Sequence, residues 1–550
     1  MSDKIIVIGG VAAGATGAAK ARRTNEDVDI TLVEKGKYIS FANCGLPYYT
    51  GGTIDKRTKI LLHTKQSFGK RFNAEVLVKT EAVGIDTKSK IVALQTSKGI
   101  EEHRYDKLLL ALGAKTFIPP IDGVDEVPYF TMRTVEDADS VKDFIEKNKP
   151  QSAVVIGAGF IGVEVAEAML HCGVKPYVVE ALDEVMPNFP PVVAMNLREK
   201  MVKEGCEVIV KTFVKKLEKT GEIIKVHLSD GRVIDTGMVI MCTGVKPAVD
   251  LPVQAGIALG DRGGVLTNDR METNIKDVFA AGDLVEKTHI VTGKKVLLPL
   301  AGPANREGRT AGANMAGGDM RFKGVLGSAV VGFEGFVMAQ TGLTYKQALE
   351  AGFDADYVYT EDVNRSSYFP DFGYIFMMTV FDKKSGRLLG ISACGAEGTE
   401  KRADEAAVAI YAGLTVYDLE NLELCYAPPF ASAKENVNIA GFVASNTLRG
   451  SGYTVKPEYI LEKVRKNDNI QLLDVRTETE CSMYKIEGSV NIYVNEVRDN
   501  LDKIDKSRPV YVYCAVGFRG YLAMRNLRNL GYEAYNVTGG IEAYQRLKRL

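Results

Sequence analysis

The feature that most constrains this chain is a pattern that occurs twice: a β-branched run, a glycine turn, a small-residue helix and a second strand closing on an acid. The second copy is the more complete. Ala153-Val154-Val155-Ile156 leads into Gly157-Ala158-Gly159-Phe160-Ile161-Gly162, then the helical run Val163–Leu170, then Tyr177-Val178-Val179-Glu180. The first copy runs from the buried strand Lys4–Ile8 through Gly9-Gly10-Val11-Ala12-Ala13-Gly14 into a small-residue helix and the strand Asp29–Glu34. Glycines at such a turn let the backbone approach a pyrophosphate, and helix N-terminal amides hold its charge. Glu34, twenty residues beyond Gly14, and Glu180 stand where a carboxylate accepts from a ribose hydroxyl. In the second unit that acid would repel a 2′-phosphate and so favours NADH over NADPH. Val11 replaces the middle glycine of the first copy, so the two units are stronger together than the first is alone. The fold class expected is α/β with two Rossmann-like domains.

At 550 residues the chain exceeds what one core supports and suggests about three or four domains. A net charge of -1 with 25% charged residues gives no global drive toward nucleic acid or an anionic membrane. Eight scattered cysteines argue against a disulfide scaffold and for a reducing, cytoplasmic setting. The histidines His63, His103, His171, His227 and His289 share no ligand spacing, so no metal site is expected. No apolar run of about 18 residues suggests a membrane span.

Leu108–Ala114 and Met238–Gly244 read as strands ending in glycine turns, at Gly113 and Gly244, that return the chain between the two units. Thr273–Asp283 ends in Gly282-Asp283. A carboxylate there can reach a flavin ribityl hydroxyl, or can be an ordinary turn aspartate. The segment Ser40-Phe41-Ala42-Asn43-Cys44-Gly45-Leu46-Pro47-Tyr48-Tyr49 carries a thiol in a polar turn. A free thiol titrates near about 8.5, and a helix N-terminus or a nearby cation lowers that to roughly 3.5–7.5. Alone, Cys44 is equally consistent with an inert buried thiol. Flavin disulfide reductases usually place a second cysteine five residues on, where this chain has Tyr49. Oxidised Cys44 is therefore expected as a mixed disulfide, a persulfide or a sulfenate.

With its paired nucleotide units, its single-cysteine Ser40–Tyr49 turn and Ala280–Asp283, the chain resembles the pyridine nucleotide–disulfide oxidoreductases, and within them the coenzyme A-disulfide reductases and NADH-dependent persulfide reductases. The resemblance spans roughly residues 1–446. It implies FAD on Gly9, Gly10, Val11, Ala12, Ala13, Gly14, Glu34, Gly113 and Asp283. NADH, with NADPH as an alternative, falls to Gly157, Gly159, Phe160, Ile161, Gly162, Glu180 and Gly244. Cys44 becomes the redox nucleophile. Two tyrosines, Tyr426 and Tyr368, would reach across a homodimer, a phenol being able to donate to a thiolate or a leaving sulfur. Coenzyme A, as substrate or bound ligand, would meet Lys20, Arg23 and Arg71 with its phosphates, Ser40 and Asn43 with its pantetheine end, and Lys434. Arg22 and Lys70 add to the charge near this turn, although such runs are usually solvated faces. Peroxidases of the superfamily carry a histidine where this chain has Ala12, which counts against the alternative of an NADH oxidase or peroxidase cycling Cys44 through sulfenate.

Beyond a Gly450-Ser451-Gly452 linker the pattern restarts, and roughly residues 455–550 resemble a single-domain rhodanese. Its loop Cys514-Ala515-Val516-Gly517-Phe518-Arg519-Gly520 wraps amides around a sulfur at a helix N-terminus, with Arg519 adding charge. Cys514 would accept sulfur from polysulfide or thiosulfate. Lys485–Val490 lacks a histidine that many rhodaneses carry nearby. The expected layout is FAD at 1–118 and 243–320, NADH at 119–242, dimerisation at 321–446, linker at 447–457 and rhodanese at 458–550.

Overall fold

A computed structural model describes residues 3–550. The chain divides into two compact units. One takes the chain up to Ala181 together with Gly205–Val325; the other takes Leu182–Glu204 and Leu326–Leu550.

In the first unit, Lys4–Ile8 is the middle strand of a five-stranded parallel sheet whose other members are Val278–Ala280, Lys107–Leu110, Asp29–Glu34 and Glu75–Val78. Its run of Ile5, Ile6, Val7 and Ile8 is buried on both faces, as a central parallel strand requires. The helix Ala12–Thr24 crosses Ala301–Met315 at backbone contact. A Cβ at Gly308 would lie 2.2 Å from the Ala13 carbonyl oxygen, and one at Gly312 would lie 2.1 Å from that of Gly17. Only glycines permit that approach, which is why a small-residue helix was legible here. A second parallel sheet orders Glu207–Ile209, Lys175–Val179, Ser152–Ile156 and Val239–Met241. Ala114–Thr116 pairs antiparallel with Val245–Pro247, so the two glycine turns read as returns lie side by side. Each nucleotide sheet also carries a three-stranded antiparallel meander, Glu81–Arg104 and Val214–Thr236.

The second unit holds a five-stranded antiparallel sheet, ordered Ala329–Phe333, Phe336–Gly342, Leu388–Gly395, Tyr374–Asp382 and Ala355–Val363. Helices Thr399–Ala412 and Asn436–Leu448 pack on it. A five-stranded parallel sheet follows, ordered Thr454–Val455, Ala534–Val537, Val510–Tyr513, Gln471–Asp474 and Val490–Asn491. The span read as a linker is more structured than that reading: its start closes the Asn436–Leu448 helix, and Thr454–Val455 is an edge strand. The helix Pro191–Lys203 also departs from the sequence layout. It lies inside the segment read as the NADH domain, yet it packs on the Leu388–Gly395 strand and buries Val193, Met195, Leu197 and Met201. The two sheets of this unit are pinned together. Thr538 Oγ1 accepts from the Tyr359 amide at 3.0 Å and donates to its carbonyl at 3.1 Å, and Arg546 forks onto Glu361 at 2.7 and 3.0 Å. No helix among the described residues is long and apolar enough to cross a membrane.

Candidate active site

The two nucleotide turns have the same local design. Glu34 Oε2 accepts from the Gly10 amide at 2.7 Å, and Glu180 Oε2 accepts from the Ala158 amide at 2.8 Å. Each acid thus fixes the glycine turn that precedes it. Gly9 and Gly157 have φ of 103° and 99°, and a Cβ on either would collide with a carbonyl of the next strand, Ala111 or Cys242. A Cβ on Gly159 would meet nothing within 4 Å, leaving open space over the amides that begin the helix Phe160–His171. Gly113 and Gly244 occupy positive-φ turns, at 65° and 91°. Val11, in place of a glycine, is the N-cap residue of Ala12–Thr24, and Ala12 opens that helix.

The Gly282-Asp283 turn is built from side chains that carry no motif. Lys287 and Glu307 face each other at 3.5 Å with fully buried side chains. Lys287 donates to the Gly282 and Val285 carbonyls, while Glu307 accepts from the Gly282 amide at 2.8 Å. Burial, only partly offset by Lys287, pushes the Glu307 carboxyl up to about 7. No hydrogen bond among the described residues reaches the Asp283 carboxylate, whose pKa burial raises against Lys287 and Arg133. A carboxylate left without a partner, beside a glycine cradle at the C-terminal edge of a parallel sheet, suits the ribityl hydroxyls and pyrophosphate of a flavin dinucleotide.

Cys44 sits exposed in the single turn Asn43–Gly45, just ahead of the five-residue helix Leu46–Thr50. Its thiol approaches Asn43 Oδ1 at 3.8 Å. Desolvation, then Glu164, then Asp283 push its pKa up, against one backbone hydrogen bond that lowers it. One short helix supplies little dipole, whereas two carboxylates supply full charges. Tyr49, where a second cysteine would stand, is buried with its hydroxyl 3.2 Å from Asp139. Tyr48 directs its hydroxyl at Glu164, 3.4 Å away.

Of the residues assigned to coenzyme A, Ser40 bends the chain with φ 46° and donates its amide to the Gly10 carbonyl at 2.7 Å. Arg23 and Arg71 are exposed, and Lys20 is half-buried on the same helix as Arg23. Arg22 is not available to a ligand: it is buried and donates to the Phe72 and Asn73 carbonyls. Lys434 is exposed in the second unit.

In that unit the Tyr368 and Tyr426 hydroxyls meet at 2.9 Å, and Ser366 Oγ lies 3.5 Å from Tyr426. Both tyrosines are open, at 74% and 48% exposure, so core packing does not explain them. Hydrogen bonds from Ser366 and Tyr426 lower the Tyr368 phenol. Cys425, Tyr426, Phe430, Arg365 and Lys401 line a cavity of about 380 Å³. Cys514 is the opposite kind of thiol, 1% exposed, with its sulfur accepting from the Gly517 amide at 3.1 Å. Its loop is held from behind: Ile541 and Glu542 amides donate to the Cys514 and Ala515 carbonyls, and a Cβ at Gly540 would strike both oxygens within 2.6 Å. Glu480 grips Arg519 through both guanidinium nitrogens, at 2.8 and 2.6 Å. The sequence reading missed Glu480. Its signal was Thr477-x-x-Glu480, a capping box on the helix Glu478–Met483.

Two nucleotide turns and an exposed thiol in one compact unit define a nucleotide-dependent oxidoreductase. Comparison with known proteins agrees. The pyridine nucleotide-disulphide oxidoreductase model matches residues 3–308, its dimerisation domain residues 328–437 and a rhodanese-like domain residues 457–547. The solved structure of reduced Bacillus anthracis CoADR-RHD is 39% identical with a TM-score of 0.97, covering 100% of this chain and 99% of that one. An NAD(P)H coenzyme A polysulfide/persulfide reductase of Pyrococcus horikoshii is 32% identical over 431 residues, 78% of this chain and 96% of the relative. An NADH oxidase of Methanocaldococcus jannaschii is 34% identical over 439 residues, 80% and 97% of the two. The chain belongs to the pyridine nucleotide–disulphide oxidoreductase family, and is a flavin- and NAD(P)H-dependent enzyme with a C-terminal rhodanese domain.

Proposed function

We propose that this enzyme uses NADH to reduce coenzyme A persulfide or coenzyme A disulfide at Cys44, and that Cys514 delivers sulfane sulfur to the same chemistry. The observation that carries the reading is the solitary, exposed Cys44 with a buried tyrosine in place of a resolving cysteine. Any disulfide or persulfide it forms takes its second sulfur from outside the turn. The names of the relatives, one a coenzyme A polysulfide/persulfide reductase, point to the same substrates.

The Cys44 thiolate attacks the outer sulfur of the coenzyme A persulfide. The S–S bond breaks, coenzyme A leaves as a thiolate, and Cys44 carries a persulfide. Two electrons and one proton then return Cys44 to the thiolate and release hydrogen sulfide. A disulfide substrate gives a Cys44–coenzyme A mixed disulfide by the same attack. When bound, FAD supplies the two-electron relay from NADH. Asp283 and the Gly9–Gly14 turn would hold it, with Glu34 at its ribose; Gly157, Gly159 and Gly162 would take the nicotinamide dinucleotide, with Glu180 at its ribose. In a homodimer, Tyr426 and Tyr368 would donate to the leaving sulfur of the other subunit. Lys20, Arg23 and Arg71 would hold the coenzyme's phosphates, with Ser40, Asn43 and Lys434 along its length. At Cys514, polysulfide or thiosulfate would load a persulfide stabilised by the Gly517 amide and Arg519. The domain limits proposed at the outset are supported by the sheets: residues before 118 and after 243 share the first parallel sheet, while the second lies wholly within 119–242.

The NADH oxidase reading is kept because a relative of comparable identity bears that name; Ala12, in the histidine position of the peroxidases, weighs against peroxide. The test is anaerobic NADH oxidation with coenzyme A persulfide and coenzyme A disulfide at matched concentrations. A tenfold preference in kcat/KM for the persulfide, about 1.4 kcal/mol in transition-state binding, is the expected result. Negligible rates with both would overturn the reading in favour of oxygen.

A further inference from the structure

The five-stranded antiparallel sheet of the second unit ends in Ala355–Val363, which has a strand partner on one side only, Tyr374–Asp382. Such an edge leaves outward amides and carbonyls in need of partners. Here the chain from Lys456 onward supplies them. Thr538, 2% exposed, satisfies the Tyr359 backbone with one hydroxyl, accepting from the amide and donating to the carbonyl. Lys456 donates to the Tyr357 carbonyl and meets Asp356 at 2.7 Å, and the Tyr359 phenol donates to Glu458 at 2.9 Å. A Cβ on Gly539 would lie 2.8 Å from the Tyr359 Cβ, so the Thr538-Gly539-Gly540 turn rests directly on the strand. That turn also backs the Cys514 loop. It opens the helix Gly540–Arg549, whose Ile541 and Glu542 amides donate to the Cys514 and Ala515 carbonyls at 2.9 and 3.1 Å. A trans peptide sets its C=O and N–H on opposite sides, so this hold turns the Ala515 and Val516 amides away from that helix. Further along the loop, Asn536 donates to the Gly517 carbonyl at 3.2 Å, and the Gly517 amide donates to the Cys514 sulfur at 3.1 Å.

We propose that Thr538 is a positioning residue for sulfur transfer: clamped on the Tyr359 backbone, it fixes through Gly539 and Gly540 the contacts that shape the Cys514 loop. The two glycines have φ of 70° and 57° and no side chains to hold them there. Their conformation is therefore set by what anchors the turn at its ends. One anchor is the Thr538 hydroxyl on the edge strand, and the other is the pair of amides on the Cys514 and Ala515 carbonyls. The fork of Arg546 on Glu361 holds the body of the same helix and leaves the glycine turn to Thr538. The antiparallel sheet is thereby part of the framework of the sulfur site, and the loop does not take its shape from its own domain alone. This rests on the reading of Cys514 as the carrier of sulfane sulfur.

The test uses the full-length, flavin-loaded enzyme in thiosulfate–cyanide exchange, with persulfide on the Cys514 peptide counted by mass spectrometry. Thr538→Val keeps the shape of the side chain and removes the hydroxyl. Its turnover is expected to fall about tenfold, as small displacements of a reacting group do, at an unchanged persulfide count per chain. Thr538→Ser restores the hydroxyl and is expected to recover most of the turnover. Glu361→Gln loosens the Arg546 fork without touching the turn, and is expected to lose less than Thr538→Val. NADH-driven reduction of supplied coenzyme A persulfide stays unchanged in all three. Circular dichroism and melting temperature report whether each variant is folded, and Thr538→Ala, which removes the same hydroxyl, carries the test if Thr538→Val is not. Wild-type turnover in the folded variant overturns the proposal. So does a loss matched by a lower persulfide count, a loss that Thr538→Ser fails to recover, or an equal loss in Glu361→Gln. Cys514→Ser separates the two claims. If it keeps full exchange, the reading of Cys514 fails. If it is inactive while Thr538→Val matches wild type, that reading stands and the positioning by Thr538 fails.

Discussion

Cys44 and Cys514 are both sulfur atoms just ahead of a helix, and they are built in opposite ways. Cys514 is buried, receives the Gly517 amide and stands before the twelve-residue helix Phe518–Asn529. Arg519 stands beside it, with a guanidinium held above its ordinary range by Glu480 first, with Cys514 contributing. Cys44 is exposed, stands before a helix of five residues, and faces Glu164 and Asp283. The first site offers a sulfur one backbone amide and a nearby guanidinium. The second disfavours a resting anion, through burial first and then the Glu164 and Asp283 carboxylates. A cysteine before a helix is therefore no guarantee of a thiolate. The length of the helix and the sign of the nearest side chains decide it.

The sharpest way to break this comparison is to remove each sulfur in turn. Cys44→Ser is expected to lower NADH-driven reduction of coenzyme A persulfide by about a thousandfold or more, as loss of a nucleophile does, and to leave sulfur transfer from thiosulfate to cyanide intact. Cys514→Ser should do the reverse. If Cys514→Ser also abolished reduction of supplied coenzyme A persulfide, the two thiols would not be separate functions.

A second contrast lies in pH-dependent stability. Glu164 is held protonated to about 7 in the folded chain against an ordinary 4.5. Below the lower value both folded and unfolded chains carry the proton, and the group contributes nothing. As pH rises through it, the unfolded chain ionises first, so stability falls until the folded carboxyl also ionises. Glu164→Gln is therefore expected to be more stable than wild type at pH 8, by roughly 3–3.5 kcal/mol at about 1.4 kcal/mol per unit, with the difference vanishing below pH 4. Urea unfolding at the two pH values measures it. Glu480 has the opposite sign. Arg519 holds its carboxyl down to about 2, so its contribution is present above its ordinary value and is lost as pH falls through the folded one.

Much of this was legible because it is local. The strands Lys4–Ile8 and Asp29–Glu34, the glycine turns and both thiol motifs are patterns within a few dozen residues, and they fold where the pattern puts them. The Cys44 electrostatics were not legible, since Tyr48 and Glu164 lie 116 residues apart and neither is unusual in its own segment. The same holds for Lys287 with Glu307, which look like ordinary charges until the fold buries them together. The packing of the helix Pro191–Lys203 on the Leu388–Gly395 strand was not legible for a related reason. Its apolar spacing says that one face is covered, and nothing local says by which sheet.

The grip on Arg519 gives the next prediction. Glu480→Gln keeps the shape of the side chain but replaces a forked, charge-assisted pair with a neutral contact. About a tenfold loss of sulfur transfer is expected, with no change at Cys44, measured as thiosulfate–cyanide exchange beside NADH oxidation. Equal loss in both assays would mean that the substitution acts through global stability.

The smallest effect is one step further from the sulfur. Thr477 Oγ1 accepts from the Glu480 amide at 3.3 Å, and Glu480 Oε2 accepts from the Thr477 amide and hydroxyl at 3.0 and 2.8 Å. The same carboxylate oxygen also receives Arg519. One residue thus caps the Glu478–Met483 helix and aims the guanidinium of a loop some forty residues later. Thr477→Ala removes the hydroxyl and with it the orientation of Glu480, at about 1 kcal/mol, the usual worth of such a cap. Sulfur transfer should fall by less than in Glu480→Gln, because the carboxylate and its charge remain. Thr477→Ser, which restores the hydroxyl, should recover both stability and transfer. Recovery of stability without transfer would show that the cap and the arginine grip are separate, and that Arg519 is held by Glu480 whatever the helix beneath it does.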